Sequence, residues 1–203
     1  VNILMWTTTP WTIPGNRALA YNKNFSYTLV KEDLSDTYFI AASDLINKLK
    51  DDTGLKLKKI RDFSGQEFDK IICKHPLHDF GYKFEVPLLA GDFVTKKEGT
   101  GIVHIAPGHG LDDFNLAKEN NIEVPQTIDE GGIFYDDIPL FKGAHVFKVD
   151  DKIIEFLKKN KKLLYKKDIF HSYPHSWRSK KPLIFRNTTQ WFISLEKENL
   201  RNK

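Results

Sequence analysis

The alternation of apolar and polar residues predicts many short strands along this chain. Tyr38–Ala42 and Ile102–Ile105 are apolar runs of strand length, and several other segments alternate with a period of two. Residues 11–16, which hold two kinds of turn former, proline and glycine, are predicted to form a loop. Strands are predicted in residues 1–9, 17–21, 27–31, 38–42, 55–63, 84–94, 102–105, 131–135, 145–148 and 163–170.

Three segments show helical periodicity instead, in residues 43–50, 111–120 and 150–160. The first is predicted to begin at Ser43 as its N-cap. The apolar stripes are Leu45, Ile46 and Leu49 in the first helix, and Ile153, Ile154, Phe156 and Leu157 in the third. Because strands and helices do not alternate as βαβ units, the sequence predicts a mostly β fold with attached helices (α+β). We expect its core to be a closed or barrel-like arrangement of strands.

Composition is that of an ordinary globular domain with a mildly basic surface. The chain has 203 residues, 40% hydrophobic and 29% charged, with a formal net charge of +4. Lysines cluster in residues 56–59, 158–167 and 180–181, which suits either solvated faces or a polyanionic partner. The single cysteine, Cys73, excludes a disulfide framework and favours a reducing compartment, so we expect a cytoplasmic protein. No apolar run approaches the length of a membrane span.

The most informative stretch for chemistry is residues 99–114, a short strand, a Gly/Pro turn and a helix that opens on two carboxylates. His104 shares one face of the predicted strand with Thr100 and Ile102. Asp112 and Asp113 fall in the first helical turn, where the helix dipole favours negative charge. One carboxylate can cap the helix while the other faces a pocket. By spacing alone, a plain strand–turn–helix corner explains the same residues.

Three other groups of residues have both a functional and a purely structural explanation. Thr7, Thr8 and Thr9, followed by Asn16, offer hydroxyls on both faces of a strand, although threonine favours strands anyway. Cys73, His75 and His78 have spacing that suits a metal, but no fourth ligand is near. Residues 171–179, which begin at His171, interleave aromatic and basic side chains that can stack on nucleic-acid bases or simply lead into a strand.

Three long motifs together resemble the isoleucyl-tRNA synthetases, specifically their inserted editing domain, connective polypeptide 1. They are Trp6-Thr-Thr-Thr-Pro-Trp-Thr-Ile-Pro-Gly-Asn16, the stretch 99–114, and residues 171–178 with 182–186 and 190–192. The related valyl and leucyl editing domains carry Thr-Thr-Arg-Pro followed by an acidic residue, where this chain has Thr9 and Trp11. The valyl family also places lysine where His104 stands. The resemblance therefore favours the isoleucyl family over its relatives.

The resemblance implies hydrolysis of valyl-tRNA(Ile), the second sieve of a double-sieve strategy already known for this family. It assigns Asp113 to the substrate's α-ammonium group and leaves Asp112 to capping or structure. Thr7, Thr8 and Thr9 would position the ester and the attacking water. His104 would narrow the pocket against isoleucine, and Trp11 and Asn16 would complete the substrate-binding set. The motifs contain no recognisable general base. We therefore expect catalysis by positioning of the ester and the water and by polar preorganisation, helped by a tRNA hydroxyl.

The same resemblance shapes expectations about cofactors, partners and domain organisation. Residues 1–203 are expected to be a single editing domain cut from a longer synthetase, with residues 171–203 leading back toward the catalytic core. The nucleotide motifs of the His-Ile-Gly-His and Lys-Met-Ser-Lys-Ser types are absent, so ATP is expected to act only in the full-length enzyme. Many isoleucyl enzymes have a zinc-binding Cys-x-x-Cys where this chain has Ser176 and Ser179, which makes zinc doubtful here.

The expected partners are the valine-bearing 3′ end of tRNA(Ile) and the rest of the synthetase chain, with the domain itself monomeric. Two alternatives compete with this prediction: a non-catalytic tRNA-binding module whose pocket has decayed, and a free-standing trans-editing protein. The intact threonines, His104 and Asp113 argue against the first alternative.

Overall fold

The computed structural model describes residues 1–97, 99–170 and 172–202, and all structural statements below concern these residues. The strands are β1 (Asn2–Ile3), β2 (Ala18–Tyr21), β3 (Ser26–Glu32), β4 (Tyr38–Ala42), β5 (Leu57–Ser64), β6 (Ile72–Lys74), β7 (Glu85–Ala90) and β8 (Ile102–Ile105). The α-helices are α1 (Ile46–Thr53), α2 (Leu111–Glu119) and α3 (Val146–Lys159). Short 3₁₀ helices cover Pro10–Gly15, Ser43–Leu45, Gly65–Phe68, His78–Phe80 and Lys197–Asn202.

The strands form two mixed sheets of four strands each. The first has the order β1-β4-β3-β5, in which β1 runs parallel to β4 and the other neighbours are antiparallel. The second has the order β6-β7-β2-β8, in which β2 runs parallel to β7 and antiparallel to β8. Pairing of Leu19 in β2 with His104 in β8 places the histidine on the edge strand of the second sheet.

A shared apolar cluster joins the two sheets. Its buried members are Leu19, Tyr21, Tyr27, Ala42, Leu45, Phe68, Val86, Leu88 and Ile102. The Tyr27 hydroxyl accepts a hydrogen bond from the Asn22 N–H and donates one to the Gly101 carbonyl, both at 3.0 Å. Burial of that phenol raises its pKa to about 12. The buried hydroxyl thus ties β3 of the first sheet to the start of β8 in the second.

The predicted fold class, mostly β with attached helices, is confirmed. Within the described ranges the strands form two open sheets packed on each other, without the ladder that would close them into one barrel. Several predicted strands are wrong. Residues 163–170 have no strand partner, and residues 131–135 make only isolated bridges. These segments look strand-like because they are apolar, but a strand also needs a neighbour with which to pair its backbone groups.

The N-terminal segment also differs from prediction. Thr7, Thr8 and Thr9 lie in irregular backbone, and the predicted loop that follows is the 3₁₀ helix Pro10–Gly15. Proline at the first helical position leaves no N–H to satisfy and is preset for helical geometry, which explains the start of this helix. Five of its six residues, from Trp11 to Gly15, are buried.

The three predicted helices exist, with shifted starts in two of them. Ser43 does not cap α1; its hydroxyl instead accepts from Thr28 and donates to Ser26 on β3. Helix α3 begins four residues earlier than predicted, because the Nδ1 atom of His145 accepts a hydrogen bond from the Phe147 N–H and caps it. Residues 145–148, predicted as a strand, are therefore its first turn. No helix in the described part of the chain is long and apolar enough to cross a membrane.

Candidate active site

A small cavity opens where β8 ends and α2 begins. Its volume is about 230 Å³, enough for a group the size of an amino acid. The 3₁₀ helix Pro10–Gly15 and the threonines before it form one wall, and the C-terminal segment forms another. The lining residues are Thr7, Thr9, Trp11, Thr12, His104, Ala106, His109, Gly110, Asp113, Tyr173, Pro174 and Phe185.

The three threonines do not share one role. Thr7 and Thr9 line the cavity, and the Thr7 hydroxyl accepts a hydrogen bond from the Thr9 N–H at 3.0 Å. Thr8 is exposed and is not among the cavity's lining residues, although its hydroxyl lies 3.3 Å from that of Thr9. The chain turns at this point, so consecutive side chains diverge and only the first and third face the cavity.

Asp113 supplies a carboxylate to the cavity from the first turn of α2. Its Oδ2 accepts a hydrogen bond from the Ala106 N–H at 2.7 Å, across the turn that joins β8 to α2. Burial raises the pKa of this carboxyl to about 6; the Ala106 N–H opposes the shift, and the charge of Asp112 adds to it. Gly110 permits the close approach, because a Cβ there would lie 3.1 Å from the Asp113 Cγ. The site thus holds an anion at neutral pH at an energetic cost.

Asp112 is exposed, and the N-cap of α2 is Gly110, which has no side chain to cap the helix. The expectation that Asp112 caps the helix is therefore wrong. The carboxylate that does bind a backbone N–H near the helix start is Asp113, through Ala106.

His104 is held in one orientation by hydrogen bonds on both ring nitrogens. The Asn16 Nδ2 group donates to its Nδ1 at 2.8 Å, so the ring proton resides on Nε2. That Nε2–H donates to the Thr12 hydroxyl at 3.0 Å, and the Thr12 hydroxyl donates to the Thr9 carbonyl at 2.8 Å. Burial lowers the pKa of His104 to about 3, with nearby His75 and His109 adding to the shift. His104 is therefore a neutral, fixed part of the cavity wall.

Asn16 and Trp11 occupy different layers of the site. Asn16 is only 1% exposed and lies behind His104, where its amide also donates to the Ala18 carbonyl at 2.8 Å. Trp11 lines the cavity and contacts the His109 ring edge to face, with ring centroids 4.8 Å apart. The structure thus brings Thr7, Thr9, Trp11, His104 and Asp113 around one cavity and leaves Thr8 and Asn16 outside its lining.

Sequence reasoning missed His109 and Thr12 as site residues. The His109 Nδ1–H donates to the Phe185 carbonyl at 3.0 Å, and its Nε2 accepts from the buried Thr127 hydroxyl at 2.7 Å. Burial lowers the pKa of His109, although the Phe185 carbonyl opposes the shift. Its place between two glycines in the motif 99–114 was a usable signal, because glycines allow close packing around a side chain. Nothing in the sequence indicated its partner Phe185, which lies about 75 residues further along the chain.

At both places where the sequence raised the question of a metal, described side chains make other hydrogen bonds. His75 is buried, with its Nε2–H donating to the Ile13 carbonyl and its Nδ1 accepting from the Leu77 N–H, both at 3.0 Å. Burial lowers its pKa to about 4. Ser176 and Ser179 form a turn in which the Ser179 N–H donates to the Ser176 hydroxyl at 3.2 Å, and neutral hydroxyls are poor zinc ligands. No group of three or more His, Cys, Asp or Glu residues with metal-binding geometry occurs in the described ranges.

Comparison with known proteins places this geometry in a family. No protein-family model matches the chain. The isoleucine–tRNA ligase of Pelagibacter ubique is 45% identical over 207 residues, covering 100% of this chain and 23% of that protein. The isoleucine–tRNA ligase of Francisella tularensis subsp. novicida is 45% identical over 201 residues, covering 98% of this chain and 21% of that protein. The chain thus spans about a fifth of the length of these curated relatives.

Solved structures agree on the fold. The structure of GlLeuRS-CP1 superposes with a TM-score of 0.65 at 17% identity, covering 82% of this chain and 84% of that one. The editing domain of the cytosolic leucyl-tRNA synthetase of P. falciparum gives 0.62 at 13% identity, covering 81% and 79%. The chain is therefore homologous over its whole length to a segment of the isoleucine–tRNA ligases, and it has the fold of CP1 editing domains.

Proposed function

We propose that this domain hydrolyses the ester that links valine to the terminal ribose of tRNA(Ile), as an editing step within a synthetase. The observation that carries the proposal is the cavity of about 230 Å³ that combines the Asp113 carboxylate, two threonine hydroxyls and the neutral His104 ring. A role in editing fits the family and the fold, and the choice of valine as the substrate follows from the resemblance of the sequence motifs to isoleucyl-tRNA synthetases.

The Asp113 carboxylate is the group we assign to the α-ammonium of the aminoacyl ester. Ammonium and carboxylate attract strongly in a buried site, where solvent screens them little. Burial makes the carboxylate costly to ionise, and a cation that enters the cavity offsets that cost. The substrate ester would thus be anchored by the one charged group in its amino-acid moiety.

The hydrolytic step needs a positioned water rather than a strong base. The water oxygen bonds to the ester carbonyl carbon, the bond from that carbon to the ribose oxygen breaks, and a water proton ends on the ribose oxygen. Both ring nitrogens of His104 and of His109 already have hydrogen-bond partners. We assign the orientation of the water to the hydroxyls of Thr7 and Thr9, helped by the free ribose hydroxyl beside the ester.

We assign His104 to the exclusion of isoleucine. Attraction discriminates poorly, because burial of one methylene is worth only about 0.8 kcal/mol. A wall that cannot move discriminates better, since overfilling a packed site typically costs about 1–3 kcal/mol. Hydrogen bonds to Asn16 and Thr12 give His104 that rigidity.

A deacylation assay tests the proposal. Radiolabelled valyl-tRNA(Ile) and isoleucyl-tRNA(Ile) are incubated separately with the 203-residue chain, without ATP and with a strong chelator. We expect release of valine and retention of isoleucine. Retention of both amino acids by the folded chain would refute the proposal, and a rate abolished by the chelator and restored by added metal would refute a metal-free mechanism.

We also propose the wider setting that the family suggests. The domain would act on the tRNA 3′ end as a monomeric unit of a longer cytoplasmic synthetase, whose ATP-dependent aminoacylation site lies outside residues 1–203. A non-catalytic tRNA-binding module would bind the same tRNA but release no valine, so the deacylation assay separates these two functions.

A further inference from the structure

The C-terminal segment contains a hairpin at the rim of the candidate site. A bridge joins His175 to Pro182, and the Leu183 N–H donates to the Pro174 carbonyl at 2.9 Å. The Ser176 N–H donates to the Lys181 carbonyl, also at 2.9 Å, which closes the turn. We call residues 174–183 the rim hairpin.

Both ends of the rim hairpin are anchored at the cavity. Tyr173 and Pro174 line the cavity where the first arm begins, and Phe185 lines it just after the second arm ends. The His109 Nδ1–H binds the Phe185 carbonyl, and Ile184 packs against the apolar core beneath. The base of the hairpin is thus fixed to the site, while its turn lies outside the cavity.

The turn presents an aromatic ring together with several cations. Trp177 is 78% exposed, and the Arg178 guanidinium lies over its ring, 5.0 Å from the centroid. Lys180 and Lys181 are exposed beside them. Residues 169–195 contain no aspartate or glutamate. The lysine-lined groove on residues 158–167 differs in this respect, because Asp150, Asp168 and other acidic side chains also line it.

An exposed indole beside several cations fits a single-stranded nucleic acid. Every base offers a face that can stack on an aromatic ring, and its phosphates attract lysine and arginine. Trp177 follows Pro174 by three residues and lies in the turn, so at most about 10 Å of chain separates it from the cavity wall. At the ~3.4 Å rise of stacked nucleotides, this distance spans up to roughly three nucleotides.

We propose that the rim hairpin binds the unpaired nucleotides that precede the terminal adenosine of the tRNA. Trp177 stacks on one of their bases, and Arg178, Lys180 and Lys181 contact their phosphates. The inference rests on the proposed function, because it takes the ester-bearing adenosine to occupy the cavity. It adds a second contact that guides the 3′ end toward Asp113.

Binding of uncharged RNA tests the inference without any chemistry. RNA hairpins with a four-nucleotide 3′ overhang or with a blunt end are titrated by fluorescence anisotropy. Loss of one stacked base predicts that Trp177→Ala weakens binding of the overhang RNA roughly 5- to 150-fold. Trp177→Phe should bind like the parent, and blunt RNA should be unaffected. Trp191→Ala, which removes a fully exposed indole outside the rim hairpin, is the matched control.

Two further measurements identify the contacts. Abasic sites replace the overhang nucleotides one at a time, and at the stacked position we expect Trp177→Ala to cause no additional loss. For the charged side chain, Arg178→Gln should lower the slope of log Kd against log salt by about 0.7, the value for one phosphate contact on a single strand.

A hydrolysis measurement separates failure of this inference from failure of the proposed function. We expect Trp177→Ala to raise KM for valyl-tRNA(Ile) with little change in kcat, and to leave hydrolysis of valyl-adenosine unchanged. Equal slowing of both substrates would overturn the inference, since the variant would then act through the cavity. A parent chain without hydrolytic activity would refute the proposed function, while the binding measurements would still decide the role of the rim hairpin.

The remaining outcomes also overturn the inference. Unchanged binding of the overhang RNA by Trp177→Ala would show that no base stacks there. If the same variant instead reduced self-association of the chain in sedimentation velocity, the exposed indole would belong to a protein contact.

Discussion

At the scale of single residues, Asp113 and Asp112 show how two adjacent positions of one helix place one carboxylate in the cavity and the other in solvent. Asp113 lines the cavity and binds the Ala106 N–H, whereas Asp112 is exposed on the outer side of α2. Successive helical residues point about 100° apart, which explains the divergence. Sequence reasoning chose Asp113 for the pocket and left Asp112 to capping or structure, of which the structure does not support capping.

Replacement of Asp113 by asparagine should remove most of the proposed hydrolysis. A charge-assisted hydrogen bond to an ammonium is worth about 1.5–3 kcal/mol, which corresponds to roughly one to two decades in rate. The measurement is kcat/KM for valyl-tRNA(Ile), with Asp112→Asn as the matched control that keeps near-parent activity. Loss of activity in Asp112→Asn with an active Asp113→Asn would reverse the two roles.

The same substitution should stabilise the fold at neutral and alkaline pH. The pKa of Asp113 is raised by burial to about 6, so at pH 8 ionisation costs the folded state roughly 3 kcal/mol. Asp113→Asn removes that cost but weakens the bond to Ala106, which leaves a net gain of about 1–2 kcal/mol. A folded-state pKa above the unfolded one means that the folded protein binds the extra proton. The gain is therefore full above pH 6 and vanishes as the pH falls toward 4.

Urea denaturation of the parent and Asp113→Asn at pH 8 and pH 4.5 measures this difference. Asp112→Asn controls for the general effect of removing a charge from the first turn of α2. A gain that is the same at both pH values would show that the burial of Asp113 is not its source.

His104→Ala should relax selectivity rather than abolish hydrolysis. In the proposed mechanism the His104 ring fills space that the extra methylene of isoleucine would occupy. With a pKa of about 3 and both nitrogens bonded, the ring is unsuited to act as a base. We expect isoleucyl-tRNA(Ile) to become a substrate while valyl-tRNA(Ile) is still hydrolysed. A folded variant that does not hydrolyse the isoleucyl ester would refute the assignment of His104 to the exclusion of isoleucine. A folded variant that cleaves neither ester would indicate that His104 acts in the chemical step instead.

At the scale of elements, the 3₁₀ helix Pro10–Gly15 organises the site. His75 donates to its Ile13 carbonyl from the segment after β6, and the Asp150 carboxylate of α3 accepts a hydrogen bond from its Trp11 N–H. Its Thr12 hydroxyl links the Thr9 carbonyl to the His104 ring. The helix thus connects the threonines to the strand that carries His104.

Thr12→Val keeps the shape of the side chain and removes that hydroxyl. The buried His104 Nε2–H then has no acceptor, which we expect to lower the free energy of unfolding by about 1–3 kcal/mol. The ring also becomes free to turn, so the ratio of valyl to isoleucyl ester hydrolysis should fall. Thr53→Val is the control, because its hydroxyl donates to the Leu49 carbonyl and accepts from the Leu55 N–H, both at the end of α1 and not among the residues that line the cavity. Unchanged stability and selectivity in Thr12→Val would show that the hydroxyl does not hold His104.

At the scale of the whole molecule, buried histidines make the fold sensitive to acid. Burial lowers the pKa of His75 to about 4 and that of His104 to about 3, against about 6.5 in the unfolded chain. Between these values the unfolded state binds more protons, so stability is lost as the pH falls from 6.5 toward 4. Each group contributes up to about 1.4 kcal/mol per pH unit, and Asp113 offsets one of them.

Thermal unfolding between pH 7 and pH 4.5 measures this loss. We expect the melting temperature to fall with acidification, and to fall more steeply in Asp113→Asn, in which the opposing group is missing. His75→Phe removes one titrating ring from the core and should flatten the curve. A melting temperature that is independent of pH over this range would contradict the burial of neutral histidines.

Much of this protein was determined by local sequence. Apolar runs of strand length predicted β4 and β8 at their observed bounds, and the apolar stripe of residues 153–157 predicted α3. These features are local because each depends on side chains a few positions apart. The motifs around Thr7, His104 and Asp113 also identified the family, since their residue types survive in order along the chain.

Tertiary structure alone decided which of those residues share a cavity. Thr8 lies outside it, Asn16 lies behind His104, and His109 enters it with Phe185 as its partner. Residues 163–170 read as a strand but lack a neighbour with which to pair. The physical reason is common to all four cases: backbone pairing, ring orientation and burial depend on contacts between distant segments. Sequence periodicity records only which face of its own element a residue occupies.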